Sequence, residues 1–247
     1  MVQKLFGNKK ASEKGVQNYC RIVTDLLDPD GKSGDAVQSW RIFRIMSEFV
    51  QGFEVLRKHG LAATVYGSAR TRPGDPYYKK AEELSARLAK KGFSIITGGG
   101  PGIMEAANVG GFKVGGKSVG FNIQLPYEQK LNPYTTESLN FDFFFSRRVM
   151  LAFASEVYIY FPGGFGTFDE FFEMLTLIQT KKIEPVPIVL FGSGFWNPFV
   201  ELFKTQLLEE YGVISAEDLN LFVIVDTVEE AESYILSKID CNHIMQF

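Results

Sequence analysis

Residues 156–183 read EVYIYFPGGFGTFDEFFEMLTLIQTKKI. An apolar run, Val157 to Phe161, breaks at Pro162-Gly163-Gly164, and a helix-forming stretch follows from Gly166 to about Lys181. A short β-branched and aromatic run, then a glycine turn, then helical periodicity is the signature of a strand feeding a helix. The same grammar repeats outward from this stretch. LAATVYG (61–67), FSIIT (93–97), KSVGFNI (117–123), LNFDFFF (139–145), PVPIVLFG (185–192) and FVIVD (222–226) read as further strands. Between them, helices are expected over Pro76–Lys91, about 102–109, Ser146–Ser155, about 195–210 and from about Thr227. A loop rich in Pro, Asn and Thr is expected over 125–138. Strands alternating with helices predict an α/β fold: a Rossmann-like, doubly wound parallel sheet of about seven strands.

Residues 1–60 are different. Trp40, Phe43, Ile45, Phe49, Phe53 and Leu56 recur at helical spacing. Helices are expected over about 12–27 and 36–58, separated by the turn DPDGKSGD. The organisation expected is an N-terminal helical extension, 1–60, packed on a nucleotide-binding domain, 61–247.

The chain has 247 residues, 45% of them apolar and 22% charged. Its 23 Phe, 10 Tyr and 2 Trp are far more apolar surface than a disordered chain carries. A net charge of −3 argues against a nucleic-acid or anionic-membrane partner. The longest apolar region, 141–165, is interrupted by Asp142, Arg147, Arg148 and Glu156, so no membrane helix is expected. No secretory pattern opens the chain, and a cytoplasmic location is expected. Two cysteines, Cys20 and Cys241, and two histidines, His59 and His243, have no ligand-spaced partners, so neither a disulfide framework nor a metal site is expected.

In a doubly wound sheet, ligands bind beyond the carboxyl ends of the strands. Three of those ends carry glycine turns: YGSAR (66–70), TGGGPGIM (97–104) and FPGGFGTFDE (161–170). Glycines admit close backbone approach, and helix N-termini attract anions. Gly67 and Ser68, Gly99 and Gly100, and Gly163 with Gly164 are therefore candidates for a phosphate cradle. Two look-alike motifs fail on context. GFKVGGKS (111–118) satisfies the P-loop pattern but follows a helix and runs into a strand. GGGPG lacks the dinucleotide spacing.

Thr167-x-x-Glu170 reads as a capping box. Glu170 and Glu173 share a helix face, which Thr176 and Gln179 continue, so the line also reads as a substrate wall. Arg147 and Arg148 stand at a helix start, where cations oppose the dipole. An anionic partner, either a substrate phosphate or Glu170, accounts for them better.

PGGFGTFDE resembles the PGGxGTxxE signature of the LOG ("lonely guy") family, the cytokinin riboside 5′-monophosphate phosphoribohydrolases, many of them long labelled lysine decarboxylases. Arg147 lies fifteen residues before Pro162, where the family carries an Arg-Lys pair; the second member here is Arg148. GGGPGIMEAAN (98–108) is similar to the family's GGGxxGLM stretch. The resemblance covers roughly residues 61–236. It implies a homodimer that hydrolyses the N-glycosidic bond of a nucleoside 5′-monophosphate, such as AMP or a cytokinin riboside monophosphate, with no cofactor. It implies Arg147 and Glu170 as the catalytic pair, and Gly164, Phe165, Gly166, Thr167, Arg148 and Thr176 as substrate contacts. A non-catalytic nucleotide carrier and a broad nucleotide nucleosidase are the alternatives. A decarboxylase is disfavoured, because no lysine stands at the ends of strands one, two, four or five.

Overall fold

The computed structural model describes residues 35–124 and 131–239. The helix expected over 12–27, the first part of the 125–138 loop, Cys20, Cys241 and His243 lie outside them. The chain divides into two compact units, 1–47 and 48–247. Of the first, the described part is the beginning of helix α1, Asp35–Leu56, which continues into the second.

The second unit holds seven strands: β1 Ala62–Tyr66, β2 Ser94–Thr97, β3 Ser118–Ile123, β4 Glu137–Phe141, β5 Val157–Tyr160, β6 Ile188–Phe191 and β7 Val223–Val225. They form one sheet in the order β4-β3-β2-β1-β5-β6-β7, and every pairing is parallel. The helices are α2 Pro76–Lys90, α3 Ile103–Lys113, α4 Phe144–Ala152, α5 Phe165–Gln179, α6 Ser193–Leu202 and α7 Val228–Lys238. The Rossmann-like, doubly wound sheet read from the sequence is the fold.

Alternation within the strands divides the core in two. Ala63, Val65, Ile95, Ile159 and Val189 point to one face, where they meet Leu84 and Leu88 of α2, Ala106 of α3 and Ile235 of α7. Ala62, Tyr66, Ile96, Tyr160 and Leu190 point to the other, against Met150 of α4, Phe171 and Met174 of α5 and Trp196 of α6. With both faces covered, β1, β2, β5 and β6 are buried at every residue, which is why they read as mostly apolar runs without a polar alternation. Trp196 is wholly buried and stays satisfied by donating its indole N–H to the Tyr160 carbonyl at 3.1 Å.

Two local readings are corrected. LNFDFFF is not all strand: β4 ends at Phe141, and Phe144 and Phe145 open α4 with 60% and 48% of their surface exposed. An aromatic run carries no periodicity to tell the two apart. The single helix expected over 195–210 is α6 followed by a π-helical segment, Phe203–Glu210, downstream of Pro198, whose ring cannot donate to the helical ladder. Gly111–Ser118 does run from a helix into β3, so the P-loop look-alike has the wrong context here too.

Candidate active site

The strand order reverses between β1 and β5, and there the chain opens a cleft of about 1000 Å³ at the carboxyl ends of the strands. Backbone hydrogen bonds lace its floor. The Ser68 N–H donates to the Pro162 carbonyl at 3.0 Å, and the Ile103 N–H donates to the Ser68 carbonyl at 3.0 Å. The three glycine turns are thus bound to one another. The middle one is fixed from behind by Asn132, wholly inside the protein, which donates to the carbonyls of Gly99 at 3.0 Å and Gly100 at 3.2 Å.

Helix α5 enters this cleft by its N-terminus. It starts at Phe165, with Gly164 at the N-cap in extended conformation and no side-chain cap. The first-turn amides of Phe165, Gly166 and Thr167 therefore have no side-chain acceptor, and the dipole makes that end favourable for an anion. The Thr167–Glu170 capping box is a misreading. Thr167 is already the third helical residue, so it is not the N-cap, and Glu170, nearly a turn further in, is not the residue that would pair with one.

Glu170 is 9% exposed. Burial pushes its carboxyl up to about 7; the Arg147 charge pulls it down, while Asp169 and Glu173 push it further up. Its backbone carbonyl accepts the Tyr160 hydroxyl at 3.2 Å. Arg147, on the first turns of α4, donates from Nε to the Phe121 carbonyl at 2.8 Å, which aims the rest of its guanidinium into the cleft. No carboxylate pairs directly with it among the described residues. Gly98 makes room for it: a Cβ there would overlap the Arg147 Nη2 atom and the Met104 sulfur.

Gly67, Ser68, Arg147, Gly163, Gly164, Phe165, Gly166, Thr167 and Glu170 all line the cleft. The other sequence-derived candidates do not. Gly99 and Gly100 are buried beneath it. Arg148 turns to Asp169 at 3.1 Å and Glu173 at 3.0 Å, a partly exposed cluster to one side. Thr176 is exposed and donates to the Phe172 carbonyl of its own helix at 2.7 Å, and Gln179 is exposed as well. Each step of three along a helix falls about 60° short of a full turn. The polar line from Glu170 therefore leaves the cleft for solvent.

The sequence reading missed Tyr66 and the aromatic wall. Tyr66 ends β1, lines the cleft and stacks on Tyr160 with ring centroids 4.9 Å apart. Burial and the Glu170 charge push its phenol well above the ordinary value. Phe144, Phe168, Phe195 and Phe199 line another side, and Phe168 lies 4.8 Å from Phe199. Position at the end of β1 was a usable signal for Tyr66; the wall is assembled from three helices and had none. Among the described residues no group of three or more His, Cys, Asp or Glu is placed to hold a metal, and no helix is long and apolar enough to cross a membrane.

Residues 104–235 match the family described as "Possible lysine decarboxylase". Among curated proteins, the chain is 29% identical over 173 residues to the cytokinin riboside 5′-monophosphate phosphoribohydrolase LOG of Oryza sativa subsp. japonica, covering 66% of this chain and 67% of that one. It is 29% identical over 155 residues to a protein of the same description from Mycobacterium tuberculosis, covering 61% and 81%. Among solved structures, the molybdenum cofactor carrier protein of Chlamydomonas reinhardtii superposes with a TM-score of 0.54 at 20% identity, over 72% of this chain and 99% of that one. At that identity the likeness is one of fold.

Proposed function

From the premise that this chain belongs to the LOG family, the family whose general description reads "possible lysine decarboxylase", we propose that it hydrolyses the N-glycosidic bond of a nucleoside 5′-monophosphate to free base and ribose 5-phosphate. One observation carries this reading: a buried carboxylate, Glu170, stands in the same cleft as an uncapped helix N-terminus and the Arg147 guanidinium. The 5′-phosphate docks on the amides of Phe165, Gly166 and Thr167. This places the ribose over Glu170 and the base toward the aromatic wall, whose rings accept a flat heterocycle. As the C1′–N bond lengthens, positive charge grows on the ribose ring. The ionised Glu170 stabilises that charge and orients the attacking water. Water oxygen bonds to C1′, the bonding pair leaves with the base, and the water proton ends on the base or solvent. Arg147 keeps the Glu170 carboxyl ionised more readily than burial alone would and adds a cation beside the phosphate.

The family's general description suggests a different chemistry. An amino-acid decarboxylase using pyridoxal phosphate needs a lysine for its Schiff base, and none of the described residues lining the cleft is a lysine. The observation favours hydrolysis.

The test is a panel of nucleoside monophosphates with adenosine beside AMP. Phosphate binding that is realised at the sugar predicts kcat/KM for adenosine lower by about 100-fold or more. Equal turnover of nucleoside and nucleotide removes the phosphate cradle from the account.

The working unit is a homodimer in this reading. Phe144, Phe145, Phe153 and Phe172 are all exposed on α4, its end and α5, a concentration of aromatic surface that a second copy covers. Light scattering at micromolar concentration is expected to give twice the 27.8 kDa chain mass; a species of one chain mass alone contradicts it.

A further inference from the structure

Helix α4, which carries Arg147, has an unusual start. Its N-cap is Phe143, with no side chain able to accept from the first turn. Glu48, 98 residues away from Ser146 and only 7% exposed, instead grips the chain on either side of that N-cap. The two Glu48 oxygens divide the task. Oε1 accepts the Asp142 backbone N–H at 2.7 Å. Oε2 accepts the hydroxyl of Ser146, itself wholly buried. One turn further along, Gly52 faces Met150, and a Cβ on that glycine would overlap the Met150 thioether. Glu48 with Gly52 and Ser146 with Met150 are thus matched i, i+4 pairs on two helices in direct contact.

We propose that Glu48 is a positioning residue for Arg147. Successive residues of a helix are turned by about 100° about its axis, so fixing Ser146 fixes the direction in which Arg147 leaves α4. The Phe121 carbonyl then receives the Arg147 Nε–H from β3. With both ends held, the guanidinium is located from two other elements, α1 and β3, and does not depend on the cap of its own helix. A cap alone would not need this arrangement. Serine, threonine or aspartate at 143 would cap α4 locally, without the cost of enclosing a carboxylate. What the remote carboxylate adds is a fixed relation between α1 and the arginine of the cleft.

The role of Glu48 in turnover rests on the proposed hydrolysis; its role in holding Arg147 does not. The test uses the full chain with Glu48→Ala and Glu48→Gln, alone and combined with Arg147→Ala, assayed on AMP. Displacing a charged group by about 1 Å costs up to about 100-fold, so Glu48→Ala is expected to lower kcat by roughly 10- to 100-fold with KM within about threefold. Glu48→Gln, which keeps an oxygen acceptor, restores most of the rate. On the Arg147→Ala background Glu48→Ala costs nothing further, because the group it positions is gone. A lowered melting temperature with unchanged kcat per folded molecule, or losses that multiply in the double variant, overturns the proposal. Exchange of the Arg147 Nε–H, followed by NMR, is the readout that needs no turnover. It is expected to speed up in Glu48→Ala, or in Glu48→Gln to a smaller extent if the alanine variant does not fold, while the β1 and β5 amides stay protected. Unchanged exchange refutes the positioning role. A parent protein that releases no base from AMP refutes the hydrolysis instead, and leaves the exchange result to decide the role of Glu48.

Discussion

Glu170→Gln is expected to lose at least about 100-fold in kcat on AMP, the usual cost of removing one electrostatic contact to a transition state, while melting no lower than the parent above pH 7. The two halves of this result have separate causes. The amide is nearly the same size as the carboxyl but cannot carry the charge that faces the ribose cation. It also removes no cap, because α5 begins at Phe165 without using Glu170. The stability half follows from linkage. Burial raises the folded-state carboxyl from its ordinary 4.5 to about 7. The parent's stability is therefore fully present below about pH 4.5 and falls as pH rises through about 7, where the buried carboxyl must ionise. At pH 8 the glutamine variant escapes that cost, an upper bound of about 3 kcal/mol. Calorimetry at pH 5 and pH 8 should show the two proteins converging at the lower pH and the variant ahead at the higher. Activity of the parent runs the opposite way: kcat/KM rises through a limb near pH 7, because the ionised carboxylate is the working form. A variant that melts early and keeps its turnover would make Glu170 a structural residue.

Arg147→Ala is expected to cost a comparable factor, on the order of 100-fold in kcat/KM, with a different pH signature. The Arg147 charge is the main influence that lowers the Glu170 carboxyl against the effect of burial. Without it that carboxyl titrates higher, so the acid limb of the rate profile moves to higher pH and part of the lost activity returns in alkaline buffer. Binding of AMP should weaken as well if the guanidinium meets the phosphate. A pH–rate profile separates the two contributions: an unchanged limb with a uniform loss would mean that Arg147 acts on the substrate alone and not on Glu170.

How far the sequence led depended on the range of each interaction. Strand and helix positions were legible because alternating faces and glycine turns are local signals. The cleft was legible because the turns after β1, β2 and β5 all fall on one edge of a parallel sheet. The capping box was misread because T-x-x-E is a pattern without a register; only the extended Gly164 shows that the helix starts before Thr167. Thr176 was misplaced because three-residue steps drift around a helix, a rotation that sequence spacing hides. Phe144 and Phe145 look like strand residues and open a helix; Glu48, remote in sequence, holds the chain around that start through the Asp142 N–H and the Ser146 hydroxyl. The link from Glu48 to Ser146 and the wall of Phe168, Phe195 and Phe199 exist only after folding, and no local pattern announces them.

The most direct measurement of the central claim is product analysis of AMP incubated with the purified protein, by chromatography of the base and the sugar phosphate together. Hydrolysis at C1′ predicts adenine and ribose 5-phosphate in equal amounts, growing with time and with enzyme, and absent with Glu170→Gln. AMP that binds saturably and is recovered intact would contradict the account and make this cleft a nucleotide carrier.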